Sequence, residues 1–277
     1  MSKNNNFSFT KRLAETALML AVGTVLSVFK LIELPYGGSV TVGSMVPILV
    51  IAYRYGTGYG LLTGFVYGLI QQLLGLKTLS YVTTWQSILA VILLDYAVAF
   101  MVIGLGGLFR KLSSQKFAMF FGAILCCVLR FVCHVISGAT VWAGLSIPSK
   151  AALIYSIGYN ATFMIPETIL TVGLAYYIGA MLNFRDDNIT AFATGTKKVF
   201  PVLKCIGGLL LTIALIIDVR VVFSKIQNAD TGDFDITAHS DMNWTPLIIL
   251  SAVALVLAII LFTVNYVIVN RQEATKE

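Results

Sequence analysis

Arg130, His134, Gly138 and Trp142 recur every four residues inside an apolar stretch. At 3.6 residues per turn, each step of four drifts only about 40° around a helix, so the four form one slowly winding stripe. It offers a cation, an imidazole, a gap without a side chain, and an indole. Ionisable groups inside a membrane helix are costly and usually face a protein interior or a cavity. The stripe therefore suits one wall of a ligand site. Asp95, within Leu93-Leu94-Asp95-Tyr96, is a second intramembrane charge, whose insertion alone costs about 2.5–3.5 kcal/mol. It reads either as an ion-pair partner for Arg130 or as a counter-charge for a cationic or amine-bearing ligand. At about 4 Å and an effective dielectric of about 20, such a charge pair is worth about 4 kcal/mol before desolvation. Trp142 would add cation–π contact.

The other polar groups have plainer readings when taken singly. His134 suits a satisfied interior histidine, and no second His or Cys stands at metal-ligand spacing. Trp142 and Tyr155 suit interfacial belt residues. Asn160 suits a hydrogen bond between two helices. What distinguishes them is that they fall at one depth once the elements are laid out.

Those elements are membrane helices. Of 277 residues, 58% are hydrophobic and only 12% charged, against about 25% charged in a soluble domain. Apolar segments run over 13–32, 43–53, 57–76, 86–109, 117–141, 151–181, 201–223 and 246–269. The first, following the basic Lys11-Arg12, is long enough to span and reads as an uncleaved helix. The second is short and holds Pro47, so a broken or tilted helix is expected there. Strands are not expected, because the segments lack strict alternation.

Lys and Arg in the loops orient the chain. With both termini cytoplasmic, thirteen basic residues fall inside and five outside (Lys30, Lys77, Lys150, Arg220 and Lys225), and Arg130 lies within the membrane. This topology puts Asp95 about ten residues, roughly 15 Å, along an inward-running helix. It also puts Asp95, His134, Trp142, Tyr155 and Asn160, from three separate spans, in the outer half of the bilayer. Their convergence points to a site open to the outside.

Other features read as packing. Gly56, Gly60, Gly64 and Gly68 form a ladder at spacing four, which lets helix backbones approach closely. Ala14, Ala17 and Ala21 share one face of the first helix, fit for another helix of the chain or for a partner membrane subunit. Residues 183–200 are polar and read as a cytoplasmic linker, dividing a domain at 1–182 from a two-helix hairpin at 201–277. The hairpin's outer loop, with Asp230, Asp233, Asp235, His239 and Asp241, reads as a solvated acidic loop. The four cysteines form no CxxC pair and read as buried thiols. The basic residues are scattered, which argues against nucleic acid as a partner. No GxSxG, HExxH or Walker A sequence occurs. Neither catalysis, a cofactor nor ATP binding is expected of this chain.

Over about residues 10–182 the sequence resembles the thiamine-specific substrate-binding (S) components of energy-coupling factor transporters. The resemblance is carried by Gly43-Ser-Met-Val-Pro-Ile, Arg54-Tyr-Gly-Thr-Gly-Tyr-Gly, Leu94-Asp-Tyr-Ala-Val-Ala-Phe, Gly104-Leu-Gly-Gly-Leu-Phe, His134-Val-Ile-Ser-Gly-Ala-Thr-Val-Trp and Tyr155-Ser-Ile-Gly-Tyr-Asn. It implies an all-α integral membrane fold, a six-helix bundle, here followed by two extra C-terminal helices. It implies a multi-pass protein of the cell membrane that captures thiamine from outside. Its implied partners are a membrane coupling subunit and two ATPase subunits. By the same resemblance, Asp95 faces the vitamin's amine and positive ring, with Tyr96 beside it. His134 and Trp142 contact the rings, Gly138 leaves room for them, and Tyr155 and Asn160 complete the polar contacts. Ala14, Ala17 and Ala21 match the alanine face that docks on the coupling subunit. Gly38 stands where some members have a loop Trp, and a second Trp after Trp142 is absent. The competing reading is an autonomous ion-coupled transporter, for which inverted repeats would be expected.

Overall fold

The computed structural model describes residues 9–34, 37–141, 149–191, 202–226 and 242–274. Trp142 and the acidic cluster Asp230–Asp241 lie outside the described residues. The chain forms two compact units, Met1–Phe192 and Ala193–Glu277.

In the first unit, helix α1 (Phe9–Val28) leads into a hairpin of β1 (Lys30–Glu33) and β2 (Ser39–Thr41). The expected helix to residue 32 stops early. Thr24 Oγ1 donates to Leu20 O at 2.7 Å and Ser27 Oγ to Thr24 O at 2.7 Å. Such side-chain bonds compete with helix propagation. Beyond Val28 the backbone pairs across the hairpin, Ile32 with Val40 and Glu33 with Ser39. A second short hairpin joins β3 (Leu182–Asn183) to β4 (Thr190–Ala191). β2, β3 and β4 thus lie between the apolar segments, and β1 takes over the last residues of the first one, where hydropathy does not mark the change.

Helix α2 (Val46–Tyr55) is ten residues long, about 15 Å and too short to cross a bilayer alone. Pro47 stands in its first turn, where a missing N–H costs nothing. The proline therefore opens the helix, and the expected break does not occur. Every residue from Val46 to Arg54 is buried. A helix apolar all round belongs inside a bundle, and α2 is the one around which the unit closes. Gly56, at φ 94°, ends it with a conformation that a residue bearing Cβ resists.

Helix α3 (Thr57–Leu74) then lies against α4, which runs from Trp85 to Lys111. The glycine ladder forms this contact. A Cβ at Gly64 would come 2.5 Å from Phe100 O, and one at Gly68 2.6 Å from Tyr96 O. Helices α5 (Gln115–Thr140) and α6 (Lys150–Met181) complete the unit. On α5, Phe117, Phe121, Val128, Val132 and Ile136 point outward, while Ala118, Gly122, Cys126, His134 and Ser137 are buried. Helices α4, α5, α6 and Thr245–Ile268 are each long and apolar enough to cross a membrane. The chain is a mostly helical, multi-pass membrane protein.

The far end of α2 is tied down by a polar hub. Arg54 Nε and Nη2 donate to the Glu15 carboxylate at 2.9 and 3.1 Å. Its remaining donors reach Phe184 O, Asp186 O and Asp187 O at 2.7, 3.2 and 3.0 Å. Gln115 adds bonds to Gly179 O and from Phe184 N–H, both 3.0 Å. The first part of the stretch read as a linker is thereby held on the first unit.

The second unit is the pair α7 (Val202–Ile226) and α8 (Thr245–Ala274). It packs through small residues: Ala214, Ala254 and Ala258 are buried, and Gly207 lies against Phe262. Ser251 donates to Asp218.

Candidate functional site

Asp95 sits in a π-helical turn, Ile92–Val98, inserted into α4. Such turns add a residue to the helical repeat and often accompany functional sites. Here the turn aims Asp95 at α5. His134 Nδ1 lies 2.8 Å from Asp95 Oδ1, and Ser137 Oγ donates to Oδ2 at 2.5 Å. An ionised carboxylate only accepts, so Nδ1 carries the proton in that bond. His134 is 9% exposed, and its Nε2 is buried without a hydrogen-bond partner. With Nδ1–H committed to Asp95, Nε2 of the neutral ring is an acceptor facing the interior.

The Arg130 guanidinium lies against other neighbours. Its Nη1 approaches Met45 Sδ at 3.1 Å and its Cζ lies 4.2 Å from the Phe100 ring centroid. The stripe on α5 therefore changes neighbour as it winds. Arg130 meets α4 and the start of α2, His134 meets both α4 and α6, and Gly138 faces α6. That is the consequence of a 40° drift per step, about 80° between Arg130 and Gly138.

Asn160 supports this centre from behind. Its Nδ2 donates to Ser156 O at 2.8 Å and reaches His134 O at 3.3 Å. Ser156 Oγ donates to Val135 O at 2.9 Å. Gly138 lies where a Cβ would strike Ser156 Oγ, so its missing side chain lets α5 and α6 approach. On the other flank, Tyr96 Oη is 2.9 Å from Thr78 Oγ1 and its ring stacks on Phe100 at 6.5 Å. Tyr155 is 40% exposed and is linked to the centre through a ring series. It stacks on Tyr159 at 6.4 Å, Tyr159 meets Phe163 at 5.9 Å, and Phe163 meets His134 edge-on at 5.8 Å.

The structure thus joins Asp95 directly to His134, and Asn160 to the His134 backbone. Tyr96 and Tyr155 stand on opposite flanks. Reasoning from sequence missed Ser137, although it lies three residues after His134 and so on the same helix face. It also missed Tyr159 and Phe163, which continue Tyr155 at steps of four. Among the described residues, no group of three or more His, Cys, Asp or Glu is gathered as a metal would require. The arrangement can hold a flat cation: one carboxylate, one imidazole acceptor, and aromatic rings around them.

A multi-pass helical protein with a fixed charge in its bundle and aromatic rings beside it has the make-up of a solute-binding membrane transporter. The chain belongs to the thiamine transporter protein family, whose model matches residues 13–184. It is similar to the thiamine transporter ThiT of Bacillus subtilis (strain 168), 35% identical over 175 residues, covering 57% of this chain and 85% of that protein. It is also similar to ThiT of Lacticaseibacillus paracasei, 27% identical over 194 residues, covering 62% of this chain and 90% of that one. Among solved structures, ThiT from Listeria monocytogenes matches with a TM-score of 0.49 at 24% identity, over 61% of this chain and 92% of that one. The family is one of transporters, not enzymes.

Proposed function

We propose that this chain is the substrate-capture subunit of an ATP-driven vitamin importer and binds thiamine from the outside. Asp95 supplies the negative charge opposite the thiazolium ring and the aminopyrimidine. His134 Nε2 accepts a hydrogen bond from the exocyclic amine. Tyr96 and Trp142 face the rings, and Tyr155 and Asn160 bound the site. Gly138 keeps α5 and α6 close enough for the walls to meet. Energy comes from a separate membrane coupling subunit and two ATPase subunits. Both termini are cytoplasmic. Ala14, Ala17 and Ala21 are exposed on α1, opposite buried Thr16, Gly23 and Ser27, and form the docking face for the coupling subunit.

The observation that carries this reading is the Asp95 carboxylate, bonded to His134 and Ser137 within an apolar bundle. A carboxylate in such a place is costly, and packing alone would be served by an apolar residue. A cationic ligand turns the cost into affinity. Purified protein in detergent should bind thiamine without ATP, sodium or a proton gradient. Uptake by this chain alone, driven by an ion gradient, would overturn the reading in favour of an autonomous secondary transporter.

A further inference from the structure

A second carboxylate, Glu167, lies in α6 with only 1% exposure, and the binding reading gives it no role. Both its oxygens go to one residue. Thr41 N–H donates to Oε2 at 2.6 Å and Thr41 Oγ1 to Oε1 at 2.7 Å. Ser44 Oγ lies 2.8 Å from Thr41 Oγ1 and extends the network. Burying such a group in a membrane span is tolerable only when it is hydrogen-bonded. What the bonds achieve is to fix the end of β2 on α6.

The same helix face grips β2 at its other end. Tyr159, Phe163 and Glu167 follow one another at steps of four and so share a stripe. Gly38 N–H donates to Tyr159 Oη at 3.3 Å. The Phe163 ring presses so closely on Gly38 that a Cβ there would come within 2.8 Å of it. Phe163 in turn meets the His134 ring at 5.8 Å, and His134 holds Asp95 at 2.8 Å. A physical chain therefore runs from Glu167 through Thr41, β2, Gly38 and Phe163 to the imidazole.

We propose that Glu167 is a positioning residue for the binding centre: through Thr41 and β2 it seats Phe163 against His134, and so sets how long the ligand stays without touching it. This rests on the reading of the chain as a thiamine binder. The link is made by the two Thr41 hydrogen bonds; the Arg130 guanidinium also acts on the Glu167 carboxylate by charge. A glutamine at this position can accept from Thr41 N–H with its oxygen and donate to Thr41 Oγ1 with its amide.

The test is thiamine dissociation from the purified full chain, followed by tryptophan fluorescence after dilution or competition, with the number of sites per chain measured alongside. Glu167→Ala and Thr41→Val should each speed dissociation about tenfold, as leaving a buried polar group without its hydrogen bond predicts. The number of sites should stay unchanged. The double variant should be no worse than Glu167→Ala, because the two residues act through one link. Glu167→Gln should stay within about twofold of the parent. Dissociation unchanged in Thr41→Val would overturn the inference. So would fewer sites with parental dissociation, which is the signature of misfolding. If the unaltered chain fails to bind thiamine, the functional reading itself falls, and this inference with it.

Discussion

At the scale of single residues, the site is a carboxylate that two α5 side chains hold in place. Ser137 has no exposure, and its hydroxyl reaches Asp95 Oδ2 at 2.5 Å. Ser137→Ala strands that oxygen in apolar surroundings. A lost hydrogen bond to a charged group costs about 1.5–3 kcal/mol. The melting temperature of the ligand-free protein should fall accordingly, and an unchanged value would show that Oδ2 finds another donor. Asp95 and His134 were legible in the sequence because a charge and an imidazole stand out against Leu, Val and Ile. Ser137, Tyr159 and Phe163 were not, since their types are ordinary in membrane helices and only the fold brings them together. Arg130 was the ambiguous residue. Sequence left it as a possible partner for Asp95, and the winding of α5 turns it to Phe100 and Met45.

At the scale of elements, close backbone approach and buried ion pairing do different jobs. The glycine ladder sets how near α3 comes to α4, and so where the π turn with Asp95 and Tyr96 stands. Gly64→Val places a side chain where a Cβ alone would come 2.5 Å from Phe100 O. Overpacking of this kind costs about 1–3 kcal/mol. Thermal unfolding monitored by circular dichroism should show that loss, whereas Gly58→Val, with nothing within 4 Å, should not. The Arg54 hub joins α1, α2 and the segment after α6. Removing one partner of a buried ion pair costs about 3–5 kcal/mol, so Arg54→Ala should be the most destabilising of these changes. A melting temperature equal to the parent's would contradict the hub's role. The spacing of glycines in the sequence was enough to predict close packing. The early end of α1, the hairpin after it and the role of Pro47 were not readable from hydropathy, because residues 30–32 continue the apolar run and nothing in it marks where α1 stops or α2 starts. The π turn leaves no mark in hydropathy at all.

At the scale of the molecule, the family match ends at residue 184, close to the end of the first unit at Phe192. The second unit has its own packing of small residues between α7 and α8. Residues 1–192, expressed alone, should bind thiamine with the affinity of the whole chain, within about twofold. A large loss would give α7 and α8 a part in the site. The alanine face on α1 leads to a separate expectation. Ala17→Trp should prevent uptake in cells while leaving binding by the purified protein intact, because it alters only the exposed α1 face proposed to dock the coupling subunit. Unimpaired uptake would remove the proposed coupling contact.

The central claim is that a cationic vitamin is held by a carboxylate inside the bundle. It is tested most directly by titrating the purified chain and its Asp95→Asn variant with thiamine, in the absence of nucleotide and ion gradients. The account predicts saturable binding by the parent and an affinity lower by about 100-fold or more in the variant, equivalent to about 2.7 kcal/mol of a charge pair. Equal affinities in the two proteins would contradict it.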